Sequence, residues 1–376
     1  MSRIVVLGSG AWGTAIALAL HRRGGHQITL WAHSAEEAGQ IAAAGENSLF
    51  LPGFPLPQAI AVTADPAPVA QAEIVVSVIP SEFLRPTLSR LRPYFHPTQI
   101  VVSATKGVEN NTYLRMTEVI ASSLGTAAPP AAILQGANPD VHLEVFSESS
   151  APEVSSSGME PAPRSLDGLT LPIGAFSGPS FALEVAQGQP TAVTVAFDDP
   201  AVAARVQQEF SSETLRLYTS TDVTGVELGG ALKNVIAIAA GVAAGMGLGY
   251  NSAAALMTRG IAEITRLAVA CGGRRETLAG LSGVGDLVLT CTGSLSRNRT
   301  VGYALGQGRK LPEILESLGG KVAEGVLTTR AALGLAQRHN IEMPITEQME
   351  LILDEGKDPR EAIKDLMLRP GKHEQH

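Results

Sequence analysis

The chain has 376 residues, of which 45% are hydrophobic and 17% charged, and its net charge is −8. This is the composition of a globular protein long enough for two domains with ordinary cores, and its acidic balance speaks against a nucleic-acid partner. Two cysteines, Cys271 and Cys291, are too few for a disulfide framework and have no metal-ligand spacing, so two buried thiols in a reducing cytoplasm and no metal are expected. The Met-Ser-Arg start enters a strand at once, without the charged leader and apolar core of a signal peptide. The most apolar long stretch, Val235 to Gly249, is short and broken by glycine, so no integral membrane segment is expected.

From Arg3 to Leu20 a β-branched strand runs into a glycine loop and then an alanine-rich helix. Gly8, Gly10 and Gly13 fit the G-x-G-x-x-G spacing, in which glycine permits a tight turn, the approach of a pyrophosphate and close packing of helix on strand. The helix N-terminus adds free N–H groups for phosphate. Strand, loop and helix together predict a dinucleotide site, where the hexapeptide alone would be weak. The second strand, Gln27 to His33, ends in Ala32 and His33, with no carboxylate before Glu36. An NAD-specific fold usually carries Asp or Glu there for the ribose 2′-OH. A 2′-phosphate would meet no carboxylate on this strand and could contact His33, so NADPH, or either form of the cofactor, is expected.

Ala72 to Pro80 and Thr98 to Gly107 are continuous Val/Ile runs of the kind found in buried parallel strands. Lys106 stands where the second of these stops, at the edge where such sheets bind ligands, and could hold a phosphate or polarise an oxygen. A solvated loop lysine is the plainer alternative. Thr126 to Leu171 is rich in Pro, Ser, Ala and Glu and predicts a flexible insertion. Strands resume at Leu171 to Ala182, where Gly178-Pro-Ser180 forms a turn with free N–H groups, and continue at Pro190–Phe197 and Leu215–Tyr218 with a helix from Pro200 to Glu209 between them. Beyond Ser220 only helical patterns follow. The expected division is an α/β domain over 1–220, with the insertion at 126–171, and an all-α domain over 221–376.

The helical part opens on Thr224 to Gly241, where only Glu227, Lys233 and Asn234 interrupt a small or apolar run from Val226 to Ala240. Such a helix is buried nearly all round. A buried lysine costs several kcal/mol unless paired or neutralised, and one with a lowered pKa can serve as acid or base near neutrality. Gly229 and Gly230 share its face, and each costs about 1 kcal/mol against alanine, so something large must come close there. The bland alternative is a lysine that reaches along the apolar face to water. Further on, Asp286 lies in a glycine-framed turn. Ser296, Arg297, Asn298 and Arg299 form a dense cluster of phosphate and hydroxyl ligands, or else a capped surface loop, and Glu324 is a further carboxylate at a turn.

Six segments in order resemble bacterial NAD(P)-dependent glycerol-3-phosphate dehydrogenase. They are Gly8-Ser-Gly-Ala-Trp-Gly-Thr-Ala, Ser103-Ala-Thr-Lys-Gly, Ser177-Gly-Pro-Ser-Phe-Ala, Ala231-Leu-Lys-Asn, Gly285-Asp-Leu-Val-Leu-Thr-Cys and Ser296-Arg-Asn-Arg. The resemblance runs from Arg3 to about Arg369, the insertion excepted. It implies an N-terminal Rossmann-type dinucleotide-binding domain, an all-α C-terminal domain, and reversible reduction of dihydroxyacetone phosphate to sn-glycerol 3-phosphate for glycerophospholipid synthesis in the cytoplasm. Lys233 would be the catalytic proton donor and acceptor. Lys106, Gly178, Ser180, Lys233, Asp286, Ser296, Arg297 and Asn298 would contact the substrate. Gly8, Gly10, Ala11, Trp12, Gly13, His33, Lys106, Ala182, Arg297, Val322 and Glu324 would line the site for NADPH or NADH. Ala11 stands where the family commonly has serine, which weakens one expected phosphate contact. A homodimer built on the apolar helical part is a further expectation. Two other readings use the same residues: a dehydrogenase of this architecture acting on another hydroxy acid or sugar phosphate, and a nucleotide sensor without turnover. The Ser296 to Arg299 cluster favours a phosphorylated substrate, and Lys233 with Asp286 favours turnover.

Overall fold

A computed structural model describes residues 1–126, 171–317, 323–371 and 373–374. The Val/Ile runs become strands β1 (Ser2–Leu7), β2 (His26–Trp31), β3 (Ile60–Thr63), β4 (Ile74–Ser77), β5 (Ile100–Ser103), β6 (Ile173–Ser177), β7 (Thr191–Ala196) and β8 (Leu215–Ser220). They form one sheet in the order β3-β2-β1-β4-β5-β6-β7-β8. The pairs from β3 to β6 are parallel, β7 runs antiparallel to β6, and β8 is parallel to β7. The side chains of β1 alternate between two buried layers. Ile4 and Val6 join Ile74, Val76, Ile100 and Val102 beneath the first helix, α1 (Ala11–Arg23). Val5 and Leu7 join Val75 and Val101 beneath α3 (Ser81–Leu91) and α4 (Met116–Leu124). Burial on both faces is why these strands are continuously apolar rather than alternating. Helix α2 (Ala35–Ala44) leads towards β3, while α5 (Ala182–Ala186) and α6 (Pro200–Phe210) follow β6 and β7. Strand β3 was not anticipated, because it is short, lies at the sheet edge and has prolines on either side.

After Ser220 the chain is helical: α7 (Val223–Gly245), α8 (Tyr250–Ala270), α9 (Arg275–Leu278), α10 (Asp286–Thr292), α11 (Arg297–Gly306), α12 (Leu311–Ser317), α13 (Glu324–Arg338), α14 (Pro344–Asp354) and α15 (Pro359–Met367). Asp222 caps helix α7, its side chain accepting a hydrogen bond from Gly225 N, and the helix extends the expected Thr224–Gly241 stretch at both ends. By length and composition it could cross a bilayer. Instead 89% of its apolar window is buried inside the protein, where it is the central rod of the helical core.

Two features tie α7 to its surroundings. Just ahead of α4, Arg115 donates to Glu227 on α7 at 2.7 Å, and Thr117 donates to the same carboxylate through N and Oγ1, joining the sheet to the helical part. Along the other side, α7 and α11 meet backbone to backbone. A Cβ on Gly241 would stand 2.1 Å from Arg299 O, and one on Gly302 would stand 1.9 Å from Ile238 O; Gly245 and Gly306 are equally closed. Of the predicted insertion over 126–171, residues 127–170 lie outside the described residues. Its two end residues, Thr126 and Leu171, are buried.

Candidate active site

The C-terminal ends of β1, β5 and β6 lie on one edge of the sheet and carry the glycine loop, Lys106 and Gly178 in turn. At the glycine loop, Gly8 has φ +115°, which an L side chain rarely adopts, and a Cβ on Gly13 would strike Gly8 O at 1.9 Å. Gly10 has open space where its Cβ would stand, as a site that admits a pyrophosphate closely requires. It begins α1 with no side-chain cap, so the first N–H groups of that helix remain available. The residues present therefore fit a dinucleotide. Ala11 and Trp12 are the first residues of α1, and the Trp12 ring stands 6.2 Å from Phe176. Ala182 opens α5 and packs partly against the same core layer.

Helix α7 lays Lys233 across this edge. The close approach foretold by Gly229 and Gly230 is made by the protein itself: a Cβ on Gly230 would stand 2.2 Å from Ser177 Oγ, and one on Gly229 would stand 2.6 Å from Ser282 O. The glycines seat the helix rather than line a ligand. Lys233 does not snorkel. It is 5% exposed, and its Nζ donates to Asp286 Oδ1 at 2.6 Å and to Thr290 Oγ1 at 2.5 Å. Lys106 Nζ donates to the other oxygen of Asp286 at 2.6 Å and to Gly178 O at 3.4 Å. One buried carboxylate thus holds two ammonium groups, one from the sheet and one from α7. Burial pushes the Lys233 ammonium down to about 8; Lys106 pushes the same way, and Asp286 opposes them.

Ser296 caps α11, accepting from Arg299 N, and its hydroxyl keeps a proton to donate. Arg297 is the first residue of α11 and is exposed. Asn298 is buried and accepts from Gly325 N at 2.9 Å, fixing α11 to the start of α13 beside Glu324. Burial raises the Glu324 carboxyl against the pull of Arg297, Lys106 and Lys233. Ser180 Oγ donates to Gly178 O at 2.9 Å and so braces its own turn. His33 stands apart from the lysines, exposed, with its Nδ1 2.7 Å from Glu37 Oε2. Val322 lies outside the described residues. Thr290 was missed in the sequence, although it sits four residues after Asp286 on α10, the spacing that puts both on one helix face. Cys291 is buried as expected, whereas Cys271 is only partly so; burial pushes their thiols up to about 12 and about 11. Among the described residues no group of His, Cys, Asp and Glu could hold a metal ion.

Residues 3–155 and 163–203 match the family described as NAD-dependent glycerol-3-phosphate dehydrogenase N-terminus, and residues 222–364 match its C-terminus. The chain is 55% identical to a glycerol-3-phosphate dehydrogenase [NAD(P)+] from Acidobacterium capsulatum, over 100% of both chains. It is 52% identical to one from Koribacter versatilis, over 98% of each. Among solved structures, the glycerol-3-phosphate dehydrogenase from Coxiella burnetii superposes with a TM-score of 0.82 at 34% identity, covering 98% of this chain and 99% of that one. The glycine loop, the two-lysine cluster and these matches agree: the chain belongs to the NAD-dependent glycerol-3-phosphate dehydrogenase family, oxidoreductases that use a nicotinamide dinucleotide.

Proposed function

We propose that this chain reduces dihydroxyacetone phosphate to sn-glycerol 3-phosphate, reversibly, with Lys233 as the proton donor and acceptor. The observation that carries this is Asp286, which holds Lys233 and Lys106 on its two oxygens beside the glycine loop edge. The nicotinamide supplies the hydride when bound. As the ketone accepts it, negative charge grows on the carbonyl oxygen. Lys233, protonated, stabilises that charge and then gives up its proton, and its lowered pKa eases the transfer. Lys106 adds a second positive charge from the sheet side and helps to orient the substrate between Gly178 and Ser180. Arg297, with donors from Asn298 and the Ser296 hydroxyl, takes the substrate phosphate, for which a guanidinium is well suited. Gly8, Gly10, Ala11, Trp12, Gly13, His33, Ala182 and Glu324 line the dinucleotide site, with Lys106 and Arg297 shared between both ligands.

The proposed division of labour is a dinucleotide-binding unit over 1–220 and a substrate-binding and catalytic unit over 221–376. The enzyme would work in the cytoplasm and feed glycerophospholipid synthesis. A homodimer through the apolar helical part belongs to the proposal, and light scattering would check it by giving twice the chain mass. The decisive experiment follows absorbance of the reduced nicotinamide with purified protein and dihydroxyacetone phosphate, using NADH and NADPH in parallel. Rapid loss of signal is expected with at least one. Binding of both cofactors without turnover would point to another phosphorylated ketone or to a sensor.

A further inference from the structure

The end of β2 carries a carboxylate that the order of residues conceals. Glu37 lies in the first turn of α2, four residues after His33, and turns back to the glycine loop. Its Oε1 accepts from Ser9 Oγ at 2.5 Å, Ser9 being the residue between Gly8 and Gly10. Its Oε2 stands 2.7 Å from His33 Nδ1. The Glu37 side chain is 19% exposed and that of His33 76%, so the carboxylate is fixed at both oxygens while the imidazole faces solvent. The loop beneath is fixed too, since Asn47 Nδ2 donates to Ser9 O at 2.5 Å and to Thr14 Oγ1 at 2.9 Å.

We infer that Glu37 is the residue that discriminates between the two cofactors, and that it makes the chain favour NADH over NADPH. The inference rests on the dinucleotide site proposed above. A dinucleotide with its pyrophosphate at the Gly10–Gly13 turn directs its adenosine ribose to the end of the second strand. A ribose diol offers hydroxyl donors that a fixed carboxylate accepts. A 2′-phosphate offers only negative charge, which the same carboxylate repels. His33 alone would attract the phosphate, but its ring already faces Glu37, which offsets any charge it carries. The absence of Asp or Glu from β2 itself therefore does not leave the 2′ position open, because α2 returns one to it.

The test is calorimetric binding of NAD+ and NADP+ to the full chain, as wild type and as Glu37→Gln. Glutamine keeps an acceptor for Ser9 and removes the charge at a partly exposed position, and an unchanged melting temperature certifies the fold. Wild type should bind NAD+ at least about tenfold more tightly than NADP+, a gap of about 1.4 kcal/mol. Glu37→Gln should narrow that ratio roughly tenfold, chiefly by tightening NADP+. Equal or tighter NADP+ binding by wild type overturns the inference, as does a ratio that Glu37→Gln leaves unchanged. Turnover of dihydroxyacetone phosphate alongside either result confines the failure to Glu37. Failure to bind either dinucleotide would overturn this inference and the proposed function together.

Discussion

Lys233 holds its proton loosely because its burial outweighs the single carboxylate it shares with Lys106. In the proposed mechanism oxidation of glycerol 3-phosphate uses the neutral amine, so its rate should rise with pH through about 8 and then level off. Reduction of the ketone would use the ammonium, so its rate should fall above the same point. Initial rates in both directions across the neutral and alkaline range would check this, and a shared inflection well away from there would remove the lysine from the proton transfer. Lys233→Met should lose roughly a thousandfold or more in turnover while binding cofactor about as well as wild type, since proton transfer and charge stabilisation go together. The residue itself was legible in the sequence as a charge on an otherwise apolar helix. Its partner was legible only as an aspartate in a glycine turn, because the pairing spans 53 residues and no local pattern encodes it. Glu37 is hidden in the sequence for a related reason: it lies on the helix after β2 rather than on the strand, and only the fold turns it back to Ser9.

At the scale of elements, periodicity and glycine punctuation anticipated most strands and the long helix, but not the purpose of the glycines in α7. Gly229 and Gly230 imply that something large comes close, and the contacts show Ser177 at the end of β6 and the backbone of Ser282 filling that room. Sequence alone cannot distinguish a helix that approaches a ligand from one that approaches another backbone, since both demand the missing Cβ. Gly302→Ala should be a severe test of the α7–α11 contact. Its methyl would stand 1.9 Å from Ile238 O, which no rotamer can relieve. A loss of about 3 kcal/mol in denaturant unfolding is expected, together with weaker substrate binding as α11 carries Arg297 and Asn298 away. Full stability in that variant would mean that α11 is not seated as described.

Across the whole molecule, the sheet and the helical part are joined by Arg115 and Glu227, an ion pair in which each residue is less than one-tenth exposed. Removing one partner strands the other. Arg115→Met should cost about 3 kcal/mol in the denaturant midpoint, far more than loss of an exposed pair such as Arg330 with Asp354. Burial already raises the Glu227 carboxyl, and loss of Arg115 would raise it further. A raised folded-state pKa favours the fold at low pH and loses that advantage as pH climbs through it, so the variant's deficit should shrink on acidification. A deficit independent of pH would count against a stranded carboxylate. The backbone seam between α7 and α11 has a different long-term consequence. A contact made by two side chains can be damaged on one side and repaired on the other, by trading a large residue for a small one. Here both sides are already reduced to hydrogen, so an enlargement on either helix has no suppressor across the contact. Inherited variation in this chain should accumulate around that seam and pass it by, leaving the helix that bears Lys233 in one fixed setting while the outer helices drift.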